Sequence, residues 1–551
     1  MHRSRFAILA CLALCTVPVP GAAQHPHGAP PDAGFAPPLY RDLGSWSHRV
    51  TTSSPQAQQY FDQGLRLYYA FNHDEAIRAF REAARLDPAC AMAWWGVALA
   101  AGPNINLPMD EAHGKIANQA IARAAELAPR AGEADRDYIG ALAARYSEDP
   151  AAGRAALDTA YCEAMRRLAR RHPADPDASA LYAESMLDLS PWNQWTHDGR
   201  PYPGTLEAVG VLEAVLAKHP EHPGANHFYI HAVEASPNPE RANQAAHRLE
   251  TLEPGAGHLV HMPSHIYART GRYDDALRQN QRAVAVDEKY IAEQKPEGAY
   301  PLMYYNHNIQ FIWFSAMMEG RSAEALAAAR KLAGNLPPEV IAQMPMIELV
   351  PPVPIATLIR FGRWSEALAE PPPPPSQRYA AGIWHYARGV ARAASGDGGA
   401  ARAELDSVRA AANSVPADMP ISINFAAPLL RLAANALAGE IAARGGETGA
   451  AVRALELAVA GEDSLHYDEP PTWYYPVRHS LGAVLLKAGR AAEAESVYRE
   501  DLRRHPENGW SLTGLAQALR AQGRGQEAGA VERRLGKAWA RADVKLAASA
   551  Y

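Results

Sequence analysis

Three observations predict an all-α protein made of stacked antiparallel helix pairs. A turn glycine is followed five residues later by an alanine at Gly271/Ala276, Gly320/Ala325, Gly362/Ala367, Gly396/Ala401, Gly489/Ala494 and Gly523/Ala528. Between such points apolar residues recur at helical spacing, as in Ala323-Glu-Ala-Leu-Ala-Ala-Ala-Arg330. No stretch of useful length alternates as a β-strand does. In this pattern the glycine closes the first helix of a pair with a left-handed or tight turn. The alanine then lets the second helix lie close against the first.

Taken in order, the chain opens on what reads as a targeting segment, residues 1–23. Arg3 and Arg5 precede an apolar stretch over residues 6–19, and Gly21-Ala-Ala23 offers a cleavage point. The stretch is too short to cross a membrane, and nothing later offers about 18 uninterrupted apolar residues. Cys11 and Cys15 leave a lipoprotein signal open, though Leu14 is a poor residue before the second of them. The expected location is therefore periplasmic or secreted. Residues 24–45, rich in Pro and Gly and carrying His25 and His27, read as a mobile segment.

The repeats follow. Tyr60-Phe-Asp-Gln-Gly64 is succeeded by Ala76, Phe80, Ala83 and Pro88, and Val477 begins a second copy with Leu481-Gly482, Leu485, Ala494, Tyr498 and Pro506. These spacings resemble the tetratricopeptide (TPR) family, and the likeness covers most of residues 57–540. The resemblance implies a right-handed superhelical solenoid with a concave inner face. It suggests an N-terminal and central array over residues 46–370, a proline linker at 371–375 and a C-terminal array over 376–545. Residues 188–206 form a long aromatic loop, a kind more often functional than accidental in a compact helical array.

Seven histidines fall between residues 227 and 307. His227 and His231 are four apart, as are His261 and His265, and imidazoles so spaced share one side of a helix. With Ala276 as the packing alanine, His258, His261 and His265 take the second, fifth and ninth positions of their repeat. Ala242 puts His227 and His231 at the fifth and ninth, with Glu234 one turn further, and Ala325 puts His307 at the second. The family resemblance implies that these positions face the groove. The candidate ligands of one or two ions are His227, His231, His261 and His265, followed by His258 and His307. Glu234 is a ligand, an orienter of a histidine or a general base. Imidazole with carboxylate and no thiolate suits Zn²⁺, Cu²⁺ or Fe²⁺. Pro263 is expected in the first turn of its helix, which would leave His258 and His261 in an entry loop. His219, His222 and His247 read as bystanders.

Two further features leave alternatives. Residues 467–478 are rigid and aromatic, and their Glu469 and Arg478 either reach the groove or form an ion pair at a repeat junction. Cys90 and Cys162 are too few for a disulfide scaffold and read as core residues, with one bridge open. Phosphate loops, zincin helices and Gly-x-Ser-x-Gly elbows are absent from the sequence. A net charge of -6 gives no reason to expect nucleic acid. The expected function is an exported metalloprotein, as a metal-dependent hydrolase, an oxidoreductase or a metal carrier. The other reading is a scaffold for a peptide, small-molecule or protein partner, with neither metal nor catalysis.

Overall fold

The six turn glycines all take a positive φ, between 68° and 83°. Their alanine partners Ala276, Ala325, Ala367, Ala401, Ala494 and Ala528 are all fully buried. The glycine–alanine pattern is thus a fold rule in this chain. It sets helix Tyr305–Met318 against Ser322–Gly334, Arg478–Lys487 against Ala491–Arg504, and Gly509–Ala521 against Gly525–Ala538. The computed structural model describes residues 37–149 and 152–551. Among these residues nearly all regular structure is helical, apart from a small ribbon pairing Pro420–Ile421 with Asn424–Phe425. The chain is an all-α solenoid of TPR-like helix pairs.

The same step occurs where the sequence disguises it. Phe71, at φ 53°, stands in the turn between helices Pro55–Tyr69 and His73–Leu86, five residues before buried Ala76. A left-handed phenylalanine costs about 1–2 kcal/mol. Burial offsets that cost, because the ring is 2% exposed and packs 4.4 Å from the His227 ring.

The chain divides into two compact units. The first runs to Ser236 and takes in Thr251–Ala256, and the second comprises Pro237–Glu250 and Gly257–Tyr551. The proline run 371–375 lies inside the second unit, between helices Trp364–Ala369 and Arg378–Ala394. The proposed signal segment 1–23, with Cys11 and Cys15, and His25 and His27 lie outside the described residues. Residues 37–45, part of the segment expected to be mobile, are instead tied to the first helix pair. Tyr60 donates to the Pro37 carbonyl at 3.0 Å, and Tyr40 donates to Glu75 at 2.9 Å. Cys90 and Cys162 are buried free thiols, which closes the question of a bridge between them. No helix among the described residues is long and apolar enough to cross a membrane.

Turn geometry separates two glycines with the same φ. A Cβ on Gly271 would lie 2.6 Å from the Pro506 carbonyl oxygen, whereas one on Gly489 would meet open space. Gly489→Ala is expected to cost about 1–2 kcal/mol from backbone strain alone. Gly271→Ala is expected to cost roughly twice that, since a backbone atom must also move. Denaturant melts of the two variants check this, and equal losses would contradict it.

Candidate metal centre

In the second unit, His258 and His261 lie on helix Gly257–His261 and His265 on helix Pro263–Arg269. Met262 between them keeps helical angles, φ −51° and ψ −35°, and its amide donates to the His258 carbonyl at 3.0 Å. Pro263 therefore does not leave His258 and His261 in a loop. Its missing N–H costs one ladder bond, but the chain passes through it still helical. His261 and His265 thus sit one turn apart, with their Nε2 atoms 2.8 Å from each other.

What surrounds these rings decides their protonation. His261 Nδ1 lies 2.7 Å from Asn280 Oδ1. The Asn280 amide nitrogen donates to Ser264 Oγ and to the Ala276 carbonyl, both at 2.7 Å. That orientation leaves Oδ1 as an acceptor, so the proton is on His261 Nδ1. His265 Nδ1 lies 3.0 Å from Glu469 Oε2, and a carboxylate likewise holds the proton on Nδ1. Both neutral rings then present an Nε2 lone pair to the other. His307, half-buried at the start of helix Tyr305–Met318, brings a third imidazole, with ligand atoms of all three rings within 4.8 Å of one another. Phe311 packs against all three rings at 4.9–5.1 Å. His258 lies beside this group, its ring 5.7 Å from His261 and 4.8 Å from Tyr304.

Residues 467–478 divide between the two roles open to them. Glu469 reaches the histidines, with Arg269 Nε 3.9 Å from its other oxygen. Arg478 instead forms a bidentate pair with Asp463 at 2.6 and 2.7 Å. Asn280 is a site residue that the histidine pattern could not find, yet it left a signal. Ala276, Asn280, Ala283 and Asp287 form one buried stripe at helical spacing, and two of the four are polar. Asp287 accepts from Tyr300 at 2.8 Å and Asn308 at 2.7 Å, while burial pushes its carboxyl up to about 7.

The first unit holds another histidine pair. His227 and His231 lie on helix Pro223–Val233, both fully buried, with their Nε2 atoms 3.1 Å apart. His227 Nδ1 donates to the Tyr69 carbonyl at 2.7 Å. That carbonyl belongs to the last turn of helix Pro55–Tyr69, where no helical donor follows. His231 Nδ1 lies 2.9 Å from Glu234 Oε1. Of the roles open to Glu234, orientation of His231 is the one this contact supports. The long aromatic loop packs over the same helix: Trp195 Nε1 donates to the Ala232 carbonyl at 2.8 Å, and the Trp192 ring lies 5.8 Å from His231.

A different cluster in the first unit is a structural hub. Asp177 accepts from Tyr69 at 2.6 Å, Trp46 at 3.0 Å and His48 at 2.9 Å, and lies 3.2 Å from His222 Nε2. His222 also caps its own helix by accepting from the Ala225 amide at 3.1 Å, so it serves the fold as a buried core residue. His247, with its side chain 81% exposed, is solvated.

No protein-family model and no curated protein matches the chain. Among solved structures it is similar to the human IFIT1 dimer with m7Gppp-AAAA, at 12% identity and a TM-score of 0.35, over 89% of this chain and 91% of that one. The APC/C hetero-tetramer Cut9–Hcn1 is similar at 13% identity and TM-score 0.33, over 84% and 76% of the two chains. Yeast Tom70 is similar at 11% identity and TM-score 0.27, over 87% and 90%. Likenesses this slight carry no functional argument.

The hub predicts a pH dependence. Burial lowers the His48 imidazole, but the hydrogen bond and charge of Asp177 outweigh it and raise it from 6.5 to about 9. A raised folded value means the pair stabilises fully below about pH 6.5 and loses its contribution as pH rises through about 9. His48→Gln should therefore cost most near pH 6 and little near about pH 10. Denaturation midpoints of both proteins across this range check the slope, and a cost growing with pH would contradict it.

Proposed function

We propose that this protein is an exported metal-binding protein that holds a transition-metal ion through His261, His265 and His307. One observation carries the reading. Asn280 and Glu469 commit the Nδ1 protons of His261 and His265, leaving two Nε2 acceptors 2.8 Å apart. Two acceptors in contact repel unless a cation lies between them. A shared proton meets that need, but a buried imidazolium carries a desolvation cost. A metal ion meets it with three ligands at once. Imidazoles about 2.05 Å from a tetrahedral ion put their nitrogens about 3.3 Å apart, so binding needs only a small opening of the pair. Three neutral nitrogen donors suit Zn²⁺, Cu²⁺ or Fe²⁺, and a fourth position left to water would permit hydrolysis or, with a redox-active ion, oxygen chemistry.

The helix-pair fold itself favours a second reading, a scaffold for a peptide or protein partner without metal. Burial of His261 and His265, at 0% and 1% exposure, argues against these two as contacts of such a partner. Metal analysis of protein purified without a His-tag separates the readings. The expected outcome is bound metal that falls by about one equivalent per chain in His261→Gln/His265→Gln. The half-buried His307→Gln should weaken binding and, by circular dichroism, leave the fold intact. Trace metal unchanged by either substitution would overturn the metal reading and favour the scaffold.

A further inference from the structure

We infer that the second unit binds a small organic carboxylate at Arg360, on residues that the proposed metal centre does not use. Arg360 is 5% exposed, yet among the described residues its guanidinium makes one hydrogen bond, to His479. Asp501 Oδ2, 3.0 Å from His479 Nε2, holds the imidazole proton there, so His479 Nδ1 accepts from Arg360 Nη2 at 2.8 Å. Asn508 and Ser511 donate to the same Asp501 oxygen, at 3.0 and 2.6 Å. Asp501 thus stands one imidazole away from the guanidinium and does not pair with it directly. Arg360 Nε is buried without an acceptor. A buried cation with unmet donors is costly, and burial pushes this guanidinium down to about 9. An anion on its open edge offsets that cost.

The surroundings say which anion. Arg360 ends helix Val353–Arg360, while Tyr386, His479 and Trp510 come from helices Arg378–Ala394, Arg478–Lys487 and Gly509–Ala521. The Arg360 Cζ lies 3.5 Å from the centre of the Trp510 ring and 5.0 Å from that of Tyr475. Rings against its face leave the in-plane donors for a planar partner, as a carboxylate is. The Tyr386 and Tyr475 hydroxyls are 2.9 Å apart, so one donates to the other and the acceptor keeps a proton to give. One cation matches one negative charge, and the aromatic walls favour an apolar body behind it. Glu440, whose charge also acts on Tyr386, is drawn off by Arg444 at 3.9 Å. Tyr551, 39% exposed and 5.9 Å from Trp510, marks the side open to solvent.

Titration calorimetry on the full chain tests this, with benzoate as the probe and neutral benzamide as the control. Benzoate is expected to bind at neutral pH and benzamide not. Because the guanidinium must carry its proton to bind, affinity should fall about tenfold per pH unit above about 9. Arg360→Gln should abolish binding. Should that variant fold poorly by circular dichroism, Arg360→Lys, which keeps the charge but loses the planar fork, should weaken binding at least about 10-fold. No benzoate binding, or binding unmoved by Arg360→Gln, would overturn the proposal and leave water to meet the Arg360 donors. An end-blocked Ala-Glu-Ala peptide carries the same carboxylate on a chain, and its binding in place of benzoate would overturn the assignment to a small free acid.

Discussion

A neutral imidazole has one ring proton, and whatever holds that proton decides what the other nitrogen can do. In this protein four buried histidines have their Nδ1 protons committed: His227 to a helix-end carbonyl, His231 to Glu234, His261 to Asn280 and His265 to Glu469. Every one of these partners sits behind its ring, on the side away from the paired Nε2. The rest of each unit can be understood as what keeps those partners in place. Asn280 is held by Ser264 and the Ala276 carbonyl, so the packing alanine of one repeat also orients the amide that orients a histidine.

The repeat architecture makes such an arrangement cheap. A helix pair brings the stripe that follows its packing alanine against the first helix of the same pair. A polar residue on that stripe therefore faces the first helix by default, as Asn280 faces Ser264 and His261. The same geometry accounts for buried Asp287, two turns further on, which gathers Tyr300 and Asn308 from the next segment of chain. Buried Asn280 and Asp287 are tolerated here because each has hydrogen-bonded partners.

Most of the scaffold was legible because it rests on local rules. Glycine at a left-handed turn and alanine at a close approach are chemical necessities, and they stand in the sequence at fixed spacing. Phe71 escaped that reading because burial of its ring, not backbone preference, stabilises its turn. Helical spacing also brought out the pairs His227/His231 and His261/His265, since i and i+4 are neighbours on any helix. The partners that fix their protons were mostly illegible. A backbone carbonyl such as that of Tyr69 has no sequence signature, and Glu469 lies about 200 residues from His265 in the chain. Pro263 misled for a related reason: a proline forbids one hydrogen bond but does not forbid a helix when the turns on both sides are packed.

The charge around each pair constrains what else could join it. Each has one neutral holder, the Tyr69 carbonyl or Asn280, and one carboxylate, Glu234 or Glu469. A divalent ion on the His261 pair would have part of its charge offset by Glu469, which lies 3.0 Å from His265 Nδ1. In the second unit Arg269, 3.9 Å from Glu469, adds to that positive charge. An ion held by neutral imidazoles beside a partly compensated carboxylate favours an anionic ligand at its open position, a hydroxide or a substrate carboxylate, over a neutral one.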